Sequence, residues 1–174
     1  MEKENIRKAF IPVFFDKKQK MLEYQRVADH FFFINSGLAR LYGYKDGEEK
    51  TLFFFKENMI AGSMDSYIDQ KPNSLILESI EPIKALMISR EAIDQVLGSS
   101  LAMTKVGLRL TQIRLQYLLS FYASFVLDSP EERYLKFLKE SGDLAGRVPQ
   151  HMIASFLGIT SVSLSRIRKR ITKN

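Results

Sequence analysis

Cysteine is absent from this 174-residue chain. Disulfides, thiolate-held zinc and thiolate-held iron–sulfur clusters are therefore excluded, and the composition fits a reducing cytoplasm. Histidine occurs only twice, as His30 and His151. A cupin-like metalloenzyme would need two or three imidazoles and a carboxylate converging inside one barrel, so that alternative is poorly supplied. Long apolar runs are also missing: Phe31–Ile34 and Leu52–Phe55 fall far short of a membrane span. The opening MEKENIRKAF is charged and has no apolar signal region. These absences lead us to expect a soluble, cytoplasmic protein that is not an enzyme and has no membrane partner.

One further absence is local. From Arg147 onward the chain holds six of its 26 basic residues and no acidic one, so residues 1–146 balance at 20 against 20 and the whole net charge of +6 lies in the tail. A solvated face usually mixes its signs; a one-signed basic tail suits a polyanion.

With 45% hydrophobic residues the chain can build one or two real cores. Residues 20 to about 90 read as an all-β unit. Met21–Tyr24, Phe31–Asn35, Leu38–Tyr44, Thr51–Lys56 and Leu75–Ser89 in two pieces are rich in aromatic and aliphatic residues. Ser36-Gly37, Asp46-Gly47, Lys71-Pro72-Asn73 and Glu81-Pro82 punctuate them, and Asp46-Gly47 marks the most secure hairpin. Short strands at this spacing with no helices between them suggest a jelly roll or small barrel.

Ser89–Leu97 reads as a short helix, and Leu101–Leu127 as a long one interrupted by no proline and only by Gly107. Leu101, Leu108, Leu115 and Tyr122 share one heptad position, with Leu118 and Phe125 at the complementary one. One side of this helix is expected on the β unit and the other on a second copy. Ser129-Pro130-Glu131-Glu132 then starts a new helix: serine cap, proline at the first helical position, and a glutamate that closes a capping box.

The segment Gln150–Arg170 carries the most specific pattern. Ile153, Ala154 and Leu157 form the inner face of a short helix, with Ala154 small enough for a tight helix crossing. Gly158 suits a turn with positive φ, Ile159 plugs that turn, and Thr160 caps a second helix whose inner face is Leu164 and Ile167. This is helix-turn-helix spacing.

A β-roll, a long helix and a C-terminal helix-turn-helix, in this order, resemble the Crp/Fnr family of bacterial transcription regulators, and most closely its short Bacteroidetes-type members. Ser36–Tyr42, Asp46–Leu52, Pro130–Tyr134 and, most specifically, Ile153–Thr160 with Leu164–Lys169 carry the likeness, which covers roughly residues 15–172. The resemblance implies an α+β chain: an N-terminal double-stranded β-helix (jelly roll) sensor over 1–100, a dimerisation helix over 101–127 and a winged-helix-like helix-turn-helix domain over 128–174. It also implies a homodimer on double-stranded DNA, with RNA polymerase as a further partner. Gln150, Thr160, Ser161, Val162, Ser163, Arg166, Arg168, Lys169 and Arg170 are the expected DNA-binding residues. Arg166 keeps the family's later base-reading arginine, while Ser161 and Val162 replace its earlier arginine and glutamate; Lys173 joins the phosphate contacts.

The family's cyclic-nucleotide cassette pairs a glycine–glutamate with a later arginine. Aligned on Gly62 and Pro72, this chain has Ser63 for the glutamate and Asn73 for the arginine, and keeps only Ser74. Neutral side chains cannot pair with a desolvated phosphate. Tight binding of cyclic AMP or cyclic GMP is therefore not expected, and the effector stays unknown. A ligand-free sensor kept as a platform, and a haem ligand at His30, remain as alternatives to a working small-molecule sensor.

Overall fold

The structure is a computed structural model that describes residues 6–171. Eight strands come first: β1 (Ile11–Phe15), β2 (Lys20–Leu22), β3 (His30–Ser36), β4 (Ala39–Lys45), β5 (Glu48–Phe55), β6 (Ile60–Ala61), β7 (Ile76–Ser79) and β8 (Ile83–Ser89), with a short helix α1 (Met64–Asp69) between β6 and β7. Helices α2 (Arg90–Gly98), α3 (Leu101–Leu127), α4 (Pro130–Ser141), α5 (Leu144–Arg147), α6 (Gln150–Phe156) and α7 (Ser161–Ile171) follow.

The strands form two four-stranded antiparallel sheets, ordered β1-β8-β3-β6 and β2-β7-β4-β5. Pairing joins β1 to β8, β2 to β7, β3 to β6 and β4 to β5, so the chain is one long hairpin rolled into an antiparallel sandwich of jelly-roll order. The hairpin tip is the Asp46-Gly47 turn, where both residues have positive φ (54° and 78°), as a two-residue turn matched to strand twist requires. Ile34, Leu77, Phe55 and Ala39 are fully buried between the sheets.

Parts of this architecture differ from the sequence expectation, the two-residue β6 among them. Strand β1 was not anticipated: it is an edge strand pairing only with β8, contains Pro12, and turns only Val13 and Phe15 to the core while Ile11 and Phe14 stay exposed. Helix α1 interrupts the segment read as purely β. It is too short to show a helical period, and Ser66 pins it by accepting from the Ala28 amide (2.8 Å) and donating to the Lys71 carbonyl (2.7 Å). The winged-helix-like expectation is also corrected: among the described residues no strand follows β8. Residues 142–149 instead make the single turn α5 and send Leu144 and Val148 into a core, leaving no length for a β wing.

Helix α4 starts where its cap dictates. Ser129 accepts from the Glu132 amide (3.3 Å) while Glu132 accepts from the Ser129 amide (2.8 Å), closing the capping box at α4. Helix α3 spans Leu101–Leu127. Tyr117 meets Phe53 (ring centroids 5.1 Å), Arg114 lies over Phe53 and Phe55, and Phe121 meets Phe156 (4.9 Å). These contacts mark its inner face. Leu101, Leu108, Leu115, Leu119, Tyr122 and Val126 lie on the opposite side of a 3.6-residue helix, and all are exposed. At the complementary heptad position Leu118 (45%) and Phe125 (46%) are exposed as well, although Phe125 also touches Gly158 and lies beneath Arg133 of its own chain.

The C-terminal helices share a core with the outer surface of the roll: Leu38, Phe54 and Ile80 cluster with Phe137, Leu144, Ile153, Phe156 and Leu164. Arg147 fastens the rim, reaching Glu57 (2.8 Å) and Glu81 (2.6 Å), beside Lys56–Asp143 (2.8 Å). The bonds to Glu81 and Glu57 hold the Arg147 guanidinium above its usual pKa, and Arg147 in turn holds the Glu57 carboxyl down to about 2.

Candidate nucleic-acid interface

Helices α6 and α7 meet through a tightly specified turn. Ile159 donates to the Ala154 carbonyl (3.0 Å) and Gly158 to the Ser155 carbonyl (3.1 Å), the paired bonds of a Schellman C-cap. Gly158 has φ +68°, and a Cβ there would lie 2.6 Å from the Phe125 ring. Glycine is thus required twice, by conformation and by space. Thr160 Oγ1 then accepts from the Ser163 amide (3.1 Å), capping α7. Ile153, Ala154, Leu157, Leu164 and Ile167 are all buried.

The other side of this pair is polar and open. Gln150, His151, Thr160, Ser161, Val162, Arg166, Lys169 and Arg170 are exposed, whereas Ser163 and Arg168 are half-buried. Val162, Arg166 and Lys169 follow one another at helical spacing along α7. Arg170 forms a surface pair with Glu131 (2.9 Å), the kind of exposed pair that contributes little. Lys173 lies outside the described residues. Arg147, counted in the sequence as part of the basic tail, is tied to roll carboxylates instead.

Two residues with no local sequence signal hold this pair in place. Ser155 Oγ accepts from the Thr51 amide (2.9 Å) of β5. Arg133 donates to the carbonyls of Leu157 (3.0 Å) and Asp128 (2.8 Å), tying the α6–α7 pair to the α3–α4 junction. Both contacts span more than twenty residues of sequence or cross between units, beyond what spacing reveals.

The cassette residues have a different environment. A Cβ on Gly62 would lie 2.3 Å from the Phe31 ring, so this glycine makes room for a core phenylalanine. Ser63 and Asn73 are buried. Ser63 Oγ donates to Asn73 Oδ1 (3.0 Å), which also accepts from the Leu75 amide (3.0 Å), while Asn73 Nδ2 donates to the Leu75 carbonyl. Ser74 is exposed. Gly62 and Ser63 border a cavity of about 950 Å³ between the roll, α3 and the α6–α7 turn; Arg114 and Thr51 also line it, and Asn73 and Ser74 do not. Thr51 Oγ1 is buried with no hydrogen-bond partner among the described residues, and burial lowers the pKa of Arg114. His30 opens β3 and pairs with Asp29, whereas His151 is exposed on α6, so the two imidazoles serve separate units.

An antiparallel eight-stranded sandwich followed by a long helix and a helical C-terminal unit is a fold shared with solved structures of Crp/Fnr type. The chain belongs to the cyclic nucleotide-binding domain family, whose profile matches residues 12–100. No curated protein sequence matches it. Its fold is similar to that of FixK2 from Bradyrhizobium japonicum (TM-score 0.82, 17% identity, covering 94% of this chain and 85% of that one). It is also similar to the c-di-GMP responsive global regulator CLP of Xanthomonas campestris (0.74, 16%, 99% and 91%). A candidate crp/fnr-family regulator from Eubacterium rectale aligns comparably (0.75, 17%, 98% and 82%).

Proposed function

We propose that the protein is a homodimeric, sequence-specific DNA-binding transcription regulator acting in the cytoplasm. Its parts are a sensor over 1–100, a dimerisation helix over 101–127 and a DNA-binding unit over 128–174. The observation that carries this reading is α7: apolar residues buried beneath it, a capped start, and a solvent face of hydroxyls and basic side chains. Arg166 is positioned to read guanine O6/N7 in the major groove, and Val162 to touch a thymine methyl. Ser161, Ser163 and Thr160 reach a base or a phosphate. Gln150, Arg168, Lys169 and Arg170 set the register on the backbone. RNA polymerase is the further partner that such a regulator implies.

The dimer rests on the outer stripe of α3. Six large apolar side chains exposed on one helix face, from Leu101 (71%) to Val126 (60%), favour a second copy of the same helix over water. In the sensor, the inward hydrogen bonds of Ser63 and Asn73 favour a roll that does not hold cyclic nucleotides tightly. Any signal must act by stabilising one placement of the DNA-binding units over another.

Sedimentation together with anisotropy titrations on a labelled duplex tests this reading. Dimers are expected, with an affinity that falls steeply as salt rises, by about 0.9 log units per released phosphate contact for each tenfold in salt. A monomer with no affinity for duplex at low salt would overturn it.

A further inference from the structure

On the far side of α3 from the cassette lies a second, smaller cavity, of about 460 Å³, where β5, α3, α4 and α6 converge. Its volume falls within the range of small-molecule sites, roughly 300–1,000 Å³. The floor is aromatic. Phe53, Phe54, Tyr117, Phe121, Phe137 and Phe156 line it, linked by ring contacts such as Phe54–Phe156 (5.2 Å) and Phe137–Phe156 (6.0 Å).

The charged residues around the cavity differ in how they are engaged. Lys56 is paired with Asp143, and Arg133 donates to two carbonyls. Lys136 and Glu140 also line the cavity, one helical turn apart on α4. Among the described residues neither forms an ion pair with the other or with any other side chain. Lysine preceding glutamate at this spacing is the less favourable order for an intrahelical pair. Glu140 is nonetheless close enough to act on the Tyr117 phenol, whose pKa is raised by burial first and by Glu140 second.

We propose that this cavity binds an aromatic α-amino acid. Its ring would lie on Tyr117, Phe121 and Phe156, its carboxylate against Lys136 and its ammonium against Glu140. The choice of a zwitterion follows from the charges. A carboxylate alone would pair with Lys136 but face the like charge of Glu140, an amine alone would pair with Glu140 but face Lys136, and an uncharged aromatic would use neither; only a zwitterion complements both. Because Phe121 belongs to α3, Phe137 to α4 and Phe156 to α6, the occupant would touch three of the helices that pack the C-terminal unit against the roll. That regulatory consequence rests on the DNA-binding reading; the binding site itself does not.

Calorimetric titration of the full chain without DNA tests the site. The ligands are phenylalanine, tyrosine and tryptophan, with phenethylamine and 3-phenylpropionate as singly charged analogues. At least one amino acid is expected to bind saturably at one per chain, about tenfold or more tighter than either analogue. Lys136→Gln should weaken the amino acid and phenylpropionate but not phenethylamine, and Glu140→Gln should weaken the amino acid and phenethylamine but not phenylpropionate. Both substitutions are on the surface of α4, and unchanged circular dichroism would show that the fold is kept. No saturable heat from any of the amino acids, analogues that bind equally well, or variants indistinguishable from the parent would each overturn the proposal. Since DNA is absent from the cell, such a failure would leave the DNA-binding reading untouched.

Discussion

Two stretches of this molecule are built alike and point their polar groups in opposite directions. At residues 62–73 and 158–170, a glycine sits under a phenylalanine ring and is followed by a hydroxyl residue at the start of a helix: Gly62 under Phe31 before Ser63, and Gly158 under Phe125 before Thr160. In the first stretch the hydroxyl does not cap its helix but donates inward to Asn73, whose amide is taken up by Leu75. In the second the hydroxyl caps its helix, and the following side chains face water. Similar local chemistry thus gives a closed, self-satisfied patch in the roll and an open one on α7. The first stretch should therefore govern stability, and the second should govern affinity for DNA.

The largest expected effect is at the turn itself. Gly158→Ala combines a left-handed backbone with a Cβ 2.6 Å from the Phe125 ring, and should destabilise the C-terminal unit by about 4 kcal/mol in chemical denaturation. Gly62, whose φ is not positive, should cost less when replaced by alanine; an equal cost would show that the two sites differ less than proposed. Next, Asn73→Ala leaves the Ser63 hydroxyl and both Leu75 backbone groups without partners. A loss of about 3 kcal/mol is expected, with the DNA affinity of the folded protein unchanged.

The opposite pattern should hold on α7. Arg166→Ala should lose about 2 kcal/mol of binding to the selected operator, while stability changes by no more than about 0.5 kcal/mol. Lys169→Ala should weaken all sequences alike and flatten the salt dependence by about one unit of slope. If the two variants behave identically on specific and random duplexes, the division between reading and positioning roles is wrong.

The smallest effect concerns the clamp between the two regions. Glu57 titrates near 2 because Arg147 bonds to it, below the ordinary 4.5. A carboxyl depressed on folding stabilises the native state at neutral pH, and that contribution is lost as pH falls from about 4.5 toward 2. Urea midpoints measured across this window should fall, and Glu57→Gln should make the decline shallower; an unchanged decline would remove Glu57 from the account.

Features encoded by neighbouring residues were legible in the sequence. The Asp46-Gly47 tip, the Ser129–Glu132 capping box, the bounds of the Leu101–Leu127 helix and the Gly158 turn each depend on contacts within a few positions. Distance hid the rest. Strand β1 depends on pairing with β8 at the other end of the roll, β6 has only two residues, and α5 owes its turn to the core that Leu144 and Val148 enter. Arg147 illustrates the limit: as a residue type it belongs to a basic tail, but three-dimensional proximity gives it to Glu57 and Glu81. The heptad reading found a helix whose repeat positions are exposed, Leu118 and Phe125 included, but a repeat cannot show that Phe125 also touches the chain's own C-terminal unit.

Selection of duplexes from a random pool by the intact protein tests the central claim most directly. A two-fold symmetric site should emerge, with half-site centres about 34 Å apart, one helical turn of DNA, and a guanine in each half whose preference is lost with Arg166→Ala. A pool that stays random, or that converges on a single unsymmetric half-site, would contradict the account.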